Sequence, residues 1–192
     1  MKKIMFNDRF GLTEAVLDGT KTMTRRAVGN HMTEDDIKAY LKGYKDVAYN
    51  LAPYKIGEIV AVAQAYKDID KNFLQEQCWA NEEPLSYREN EAGWNNKMFA
   101  AAYYMPHRIE ITDIKVERLQ DISDEDCIKE GIIKKPYPFV REAGWVYCMP
   151  NDSMNNYVYP TQCFADLINE VSGKGTWESN PYVFAYSFKL IK

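Results

Sequence analysis

The run Gly19-Thr20-Lys21-Thr22-Met23-Thr24-Arg25-Arg26 places three hydroxyls and three cations within eight positions beside a glycine. Two kinds of chemistry suit that set. Lys21, Arg25 and Arg26 suit the binding of one phosphate or other anion, with Thr22 as a further donor. The alternative is nucleophilic attack. A threonine hydroxyl such as Thr24 becomes a nucleophile once a base removes its proton, and a lysine acts as that base when burial or neighbouring cations lower its pKa. Arg25 and Arg26 are such neighbours. A reading without any ligand also fits the composition, because threonine favours strands and lysine and arginine usually face solvent.

The elements around the run decide what it can reach. Leu12, Ala15, Val16 and Leu17 recur at helical spacing, and Gly19 suits a left-handed cap, so the cations fall on the turn and strand leaving a short helix. On a flat strand Lys21 and Thr24 point to opposite faces. Joint action by the two therefore requires a turn or bulge between Gly19 and Met23. Far along the chain, Ser123 caps a second helix whose first turn carries Asp124, Glu125 and Asp126 and which ends at Gly131. Glu130 stands out there: a carboxylate in the last turn faces the negative end of the helix dipole.

The whole chain sets limits on these readings. Its 192 residues, 46% hydrophobic and 27% charged, suit one globular domain. A formal charge of −4 argues against broad, non-specific binding to nucleic acid and leaves room for a local cationic pocket. The stretch after Met1 is too short for a signal peptide and no apolar run reaches membrane-spanning length, so a soluble cytoplasmic protein is expected. Cys78, Cys127, Cys148 and Cys163 lack paired spacing and read as reduced thiols. His31 and His107 stand apart without ligand-spaced partners, so neither a metal nor a cofactor is expected.

Between these landmarks the chain alternates strand signals with long excursions. Lys3 to Phe6, Ile59 to Tyr66, Arg108 to Arg118 and Pro181 to Ile191 read as strands, the third with a break of phase at Asp113. Thr33 caps a helix with Ile37, Tyr40 and Leu41 on its apolar face, and Thr161 opens another with Phe164, Leu167, Ile168 and Val171 as its stripe. Residues near 33–55, 67–93 and 133–160 read as insertions, the last with a hairpin signal around Gly144-Trp145-Val146-Tyr147.

Gly-x-Lys-Thr-x-Thr-x-Arg after a short helix resembles the signature of the ASCH domain, a branch of the PUA-like superfamily. Lys55-Ile56-Gly57-Glu58-Ile59-Val60, Met105-Pro106-His107-Arg108-Ile109, Val116 to Ser123 running on to Glu130-Gly131-Ile132, and Asn180-Pro181-Tyr182-Val183-Phe184 are similar to later parts of that family in the same order, above all its longer phage-type and gut-bacterial members. The resemblance implies one α+β domain over residues 1–192, a PUA-like β-barrel of about five to six mostly antiparallel strands with flanking helices. It implies recognition of RNA, a nucleotide or a modified nucleoside at a pocket around Lys21, with Thr22, Arg25, Arg26, Gln64, Tyr66 and Trp177 as binding residues and Trp94 as a further stacking ring. One branch of the family is an amidohydrolase that removes the acetyl group from acetylcytidine, and it matches this chain at Lys21, Thr24 and Glu130, where the glutamate would position or protonate the leaving amine. The chain departs from the phage-type pattern at Ala61, Ala63 and Gln64, where tryptophan, arginine and glutamate are usual. A protein-interaction role for the two large insertions is a third reading, separate from the resemblance.

Overall fold

A computed structural model describes residues 1–137 and 144–191. The chain is a mixture of helices and strands, and it divides into two compact units. The first comprises Met1–Phe6, Ile59–Glu110 and the chain end from Leu190; the second comprises Asn7–Glu58 and Ile111–Lys189.

In the first unit β1 (Lys3–Ile4) lies parallel to β3 (Ile59–Val62), with Lys3 beside Ala61 and Ile4 beside Val62. The start of β4 (Arg108–Arg118) pairs antiparallel with β3, Ile59 facing Glu110 and Ala61 facing Arg108. The strand expected from Ile59 to Tyr66 is shorter than its apolar run, because Ala65 and Tyr66 leave the ladder for a single tight turn that buries the tyrosine ring. The excursion after it is helical in part, as α4 (Lys71–Ala80) and α5 (Leu85–Glu89). Tyr66, Ile69, Leu74, Cys78, Ala100, Tyr104 and Met105 form one core there. The Lys3 ammonium donates to the carbonyls of Lys97, Met98 and Ala100, which fastens the opening strand to the loop before β4.

In the second unit β2 (Met23–Ala27) pairs antiparallel with β8 (Tyr182–Ile191), Thr24 opposite Tyr186 and Arg26 opposite Phe184. The short helix α1 (Leu12–Leu17) precedes β2, and its apolar face, Leu12, Ala15 and Val16, is buried as the spacing requires. α2 (Glu34–Leu41) opens at Thr33 with a complete capping box to Asp36, and α3 (Asp46–Leu51) follows it. After β4 come α6 (Asp124–Lys129) and a second sheet of β5 (Ile133–Pro136), β6 (Trp145–Met149) and β7 (Asp152–Tyr157) in that order, all antiparallel. The expected hairpin signal at Gly144–Tyr147 is one arm of this sheet. α7 (Pro160–Ser172) packs on β6 and β7 through the stripe that includes Cys163, Phe164 and Leu167, and α8 (Thr176–Ser179) packs beside it.

The hydrogen-bonded order of the first sheet is β1-β3-β4-β8-β2, with β1 and β2 at its two ends. That is the order of an open sheet, mostly antiparallel as expected, and among the described residues it does not close into a ring. Among the described residues no helix is long and apolar enough to cross a membrane.

Candidate functional site

A turn lies between Gly19 and Met23, and it brings Lys21 to Glu130. Gly19 adopts φ +83°, a left-handed conformation that favours glycine, and the Lys21 amide donates back to the Ala15 carbonyl at 2.7 Å. Regular strand pairing begins only at Met23. The Thr22 amide donates to the Lys129 carbonyl at 2.8 Å, and the Thr22 carbonyl accepts from the Phe188 amide at 2.9 Å. This clamps the end of α6 against the residues entering β2.

The end of α6 is built to hold Glu130. The helix starts at Ser123, whose hydroxyl accepts from the Asp126 amide, and stops where Gly131 takes φ +102°. The Gly131 amide then donates to the Ile128 carbonyl and the Ile132 amide to the Cys127 carbonyl, a Schellman pattern. Glu130 is thereby fixed at the C-terminal end with its carbonyl and carboxylate turned to the same cation. Lys21 Nζ donates to Glu130 Oε2 at 2.6 Å and to the Glu130 carbonyl at 2.7 Å. Both side chains are almost completely buried, 2% and 5% exposed.

Arg25 completes the network. Its Nε and Nη2 donate to Glu117 Oε1 at 3.0 and 2.6 Å, Nη1 donates to Glu130 Oε1 at 3.1 Å, and Nη2 reaches Asp126 Oδ2 at 3.1 Å. Lys115 pairs with Glu117 Oε2 and Lys129 with Asp126 Oδ1, so the carboxylates are themselves held from outside. Burial is the largest influence on Lys21 and lowers its pKa; the Glu130 charge and hydrogen bond oppose this, while Arg26 and Arg25 add to the lowering. For Arg25 burial works against the charge, but Glu130 and Glu117 outweigh it and the guanidinium is held more firmly protonated than usual. Asp126 is also partly desolvated, yet Lys129 and Arg25 bring its carboxyl below the ordinary aspartate value.

The other sequence candidates take several positions. Thr24 is buried on β2, next along the strand from Arg25 and so directed to the opposite face. Arg26 and Thr22 are half-buried beside it. Trp177 meets Phe164 edge-on at 6.2 Å and its amide donates to Asn169 Oδ1, so the ring packs on its own unit. Gln64 and Tyr66 belong to the first unit. There the Gln64 amide donates to Met105 Sδ, and Tyr66 is 1% exposed with its hydroxyl accepting from the Ala101 amide and its ring edge-on to Tyr104. Trp94 packs against the same core.

Glu117 and Asp126 are the members that sequence reading missed. Glu117 stands in an alternating strand as one of its polar residues, and Asp126 in a first helical turn where an acid is ordinary. A usable signal was the excess of cations at Lys21, Arg25 and Arg26, which cannot be buried without carboxylates from elsewhere. No family model, curated protein or solved structure matches this chain.

Proposed function

We propose that this chain hydrolyses an amide on an acylated nucleoside, in the manner of the ASCH hydrolase branch that it resembles, with its first sheet as the counterpart of the PUA-like barrel. The observation that carries the reading is the buried 2.6 Å contact between Lys21 Nζ and Glu130 Oε2. A lysine whose pKa is drawn down by burial spends more of its time as a neutral amine, which is the form that accepts a proton. In the reaction, water attacks the amide carbon and passes a proton to Lys21. Glu130, in contact with that lysine, relays a proton to the departing amine, and the carbon–nitrogen bond breaks. Thr24 lies next to Arg25 on β2 and faces away from it, so water is the attacking group in this reading.

The same network weighs against recognition of RNA through these cations. Lys21 and Arg25 already face Glu117, Asp126 and Glu130, and a phosphate would have to displace buried carboxylates to reach them.

The direct test is incubation with acetylcytidine and related acylated nucleosides, with release of the free nucleoside followed by chromatography. The native chain is expected to turn over one of them, and Lys21→Ala and Glu130→Gln to lose about a hundredfold or more of that rate. Absence of turnover by the native chain on the whole panel would overturn the proposal.

A further inference from the structure

The helix α2 contributes to a groove that borders the Lys21 network at Lys115 and Glu117. Two cavities, of about 350 and 390 Å³, share Leu41 of α2, Arg118 at the end of β4 and Tyr182 at the start of β8. These sizes lie within the range of small-ligand sites.

Its cations are held in an unusual way. Lys45 Nζ stands 3.8 Å from the centre of the Tyr40 ring, and the Arg118 guanidinium stands 3.9 Å from the centre of the Tyr182 ring. Neither forms an ion pair with a carboxylate among the described residues. Their neighbours differ: Lys38 pairs with Glu34 and Asp35, and Lys115 with Glu117. A neutral ring orients a cation without cancelling its charge, and Lys45 and Arg118 line one cavity together with Lys115, Glu117 and Asp121, three cations against two carboxylates. Arg118 is steadied further by donating Nη1 to the Asn180 carbonyl at 3.0 Å. That bond occupies one of its five N–H groups, and the rest of the fork suits a phosphate.

The apolar part of the groove is also unaccounted for by folding. Leu41 is 58% exposed at the end of α2 although its helical position, four residues after the buried Ile37, belongs to the apolar face. Together with the half-buried Tyr182 ring it offers a flat, partly apolar surface that reaches both cavities.

We propose that this groove binds a nucleoside monophosphate, the phosphate held between Lys45 and Arg118 and the base laid against Leu41 and Tyr182. Two cations set by aromatic rings select a compact anion, and the adjoining apolar surface selects a planar ring attached to it. Asp121, which also lines the cavity, is suited to accept hydrogen bonds from ribose hydroxyls. None of these residues belongs to the Lys21–Glu130 pair, so the inference goes beyond the hydrolase reading and does not depend on it.

The experiment is calorimetric titration of the full chain at low salt with cytidine monophosphate, cytidine and inorganic phosphate. Cytidine monophosphate is expected to bind, and both partial ligands to bind at least about tenfold more weakly, since each forfeits one half of the site. Lys45→Ala with Arg118→Ala is expected to weaken cytidine monophosphate by about tenfold or more, whereas Lys71→Ala, an exposed lysine of the first unit, leaves it unchanged. Lys45→Gln with Arg118→Gln, which keeps side-chain bulk at two exposed positions, must give the same loss. Absence of binding by the native chain, equal binding by either double variant, or equal affinity for inorganic phosphate would overturn the site.

Discussion

Lys21 stands at the C-terminal end of α6 and takes both the carbonyl and the carboxylate of Glu130, 109 positions away in the chain. A carboxylate alone at that end of a helix opposes the dipole, and a cation there is favoured. The lysine therefore turns an unfavourable placement into a paired one. It also satisfies one of the terminal carbonyls that every helix leaves open.

Removing either partner leaves a buried charge facing a network that was balanced with it. Lys21→Met and Glu130→Leu are each expected to lose about 3 kcal/mol or more, the usual cost of breaking a buried pair. The double variant is expected to lose less than the sum, with a coupling of about 1–3 kcal/mol. Urea denaturation of the four proteins in the cycle measures this directly. Additive losses would mean that the two residues act independently.

The pH dependence of that pair has a definite sign. Burial, with help from Arg26 and Arg25 and against the pull of Glu130, sets Lys21 below the ordinary lysine value of 10.5. The unfolded chain keeps the proton up to 10.5, while the folded chain releases it earlier. Between those points the unfolded state binds more protons, so stability rises with pH. The native chain is accordingly expected to gain stability relative to Lys21→Met as pH climbs towards 10.5, and to gain no more beyond it. Unfolding measured across that window decides the matter, and a difference that stays flat or falls would show a lysine with an ordinary or raised value.

Much of this arrangement was legible where local signals act alone. Gly19, Ser123, Thr33 and Gly131 mark helix ends through backbone demands that no distant contact changes, and each lies where a helix begins or ends. A turn between Gly19 and Met23 was required for joint action of Lys21 and Thr24, and the turn found there carries Lys21 to Glu130. Glu117 was not legible, because its burial comes from Arg25, 92 positions away, and not from the period of β4. Tyr66 shows the same limit in the first unit. Its type suits a stacking surface, but the tight turn at Tyr66–Asp68 places its ring in a core that only the folded chain assembles.

The four thiols offer a test of burial that spans both units. Cys78, Cys127, Cys148 and Cys163 are all free and buried. Burial pushes the Cys127 and Cys163 thiols up to about 12 and raises Cys78 as well, and the thiolate is the reactive form. A disulfide-exchange reagent is expected to label none of the four rapidly in the native chain and all four after denaturation. Rapid labelling of one thiol, located by mass spectrometry, would show that its surroundings open readily.

Gly93 tests the packing of the first unit without touching a charge. A Cβ at this position would come within 2.7 Å of Tyr66 Cε2 and 2.9 Å of the Ala100 Cα. The second of these is backbone, and it belongs to the stretch that Lys3 holds through three carbonyls. The tyrosine has little room to retreat, because its hydroxyl accepts from the Ala101 amide and its ring lies against Tyr104. Gly93→Ala is therefore expected to cost about 1–3 kcal/mol, the range for overfilling a packed interior. Thermal unfolding together with amide exchange locates the effect: protection should fall at Ile69 and Ala101, whose amides donate to the Tyr66 carbonyl and hydroxyl. A variant as stable as the parent, with exchange unchanged at those amides, would mean that the contact at Tyr66 and Ala100 relaxes at no cost.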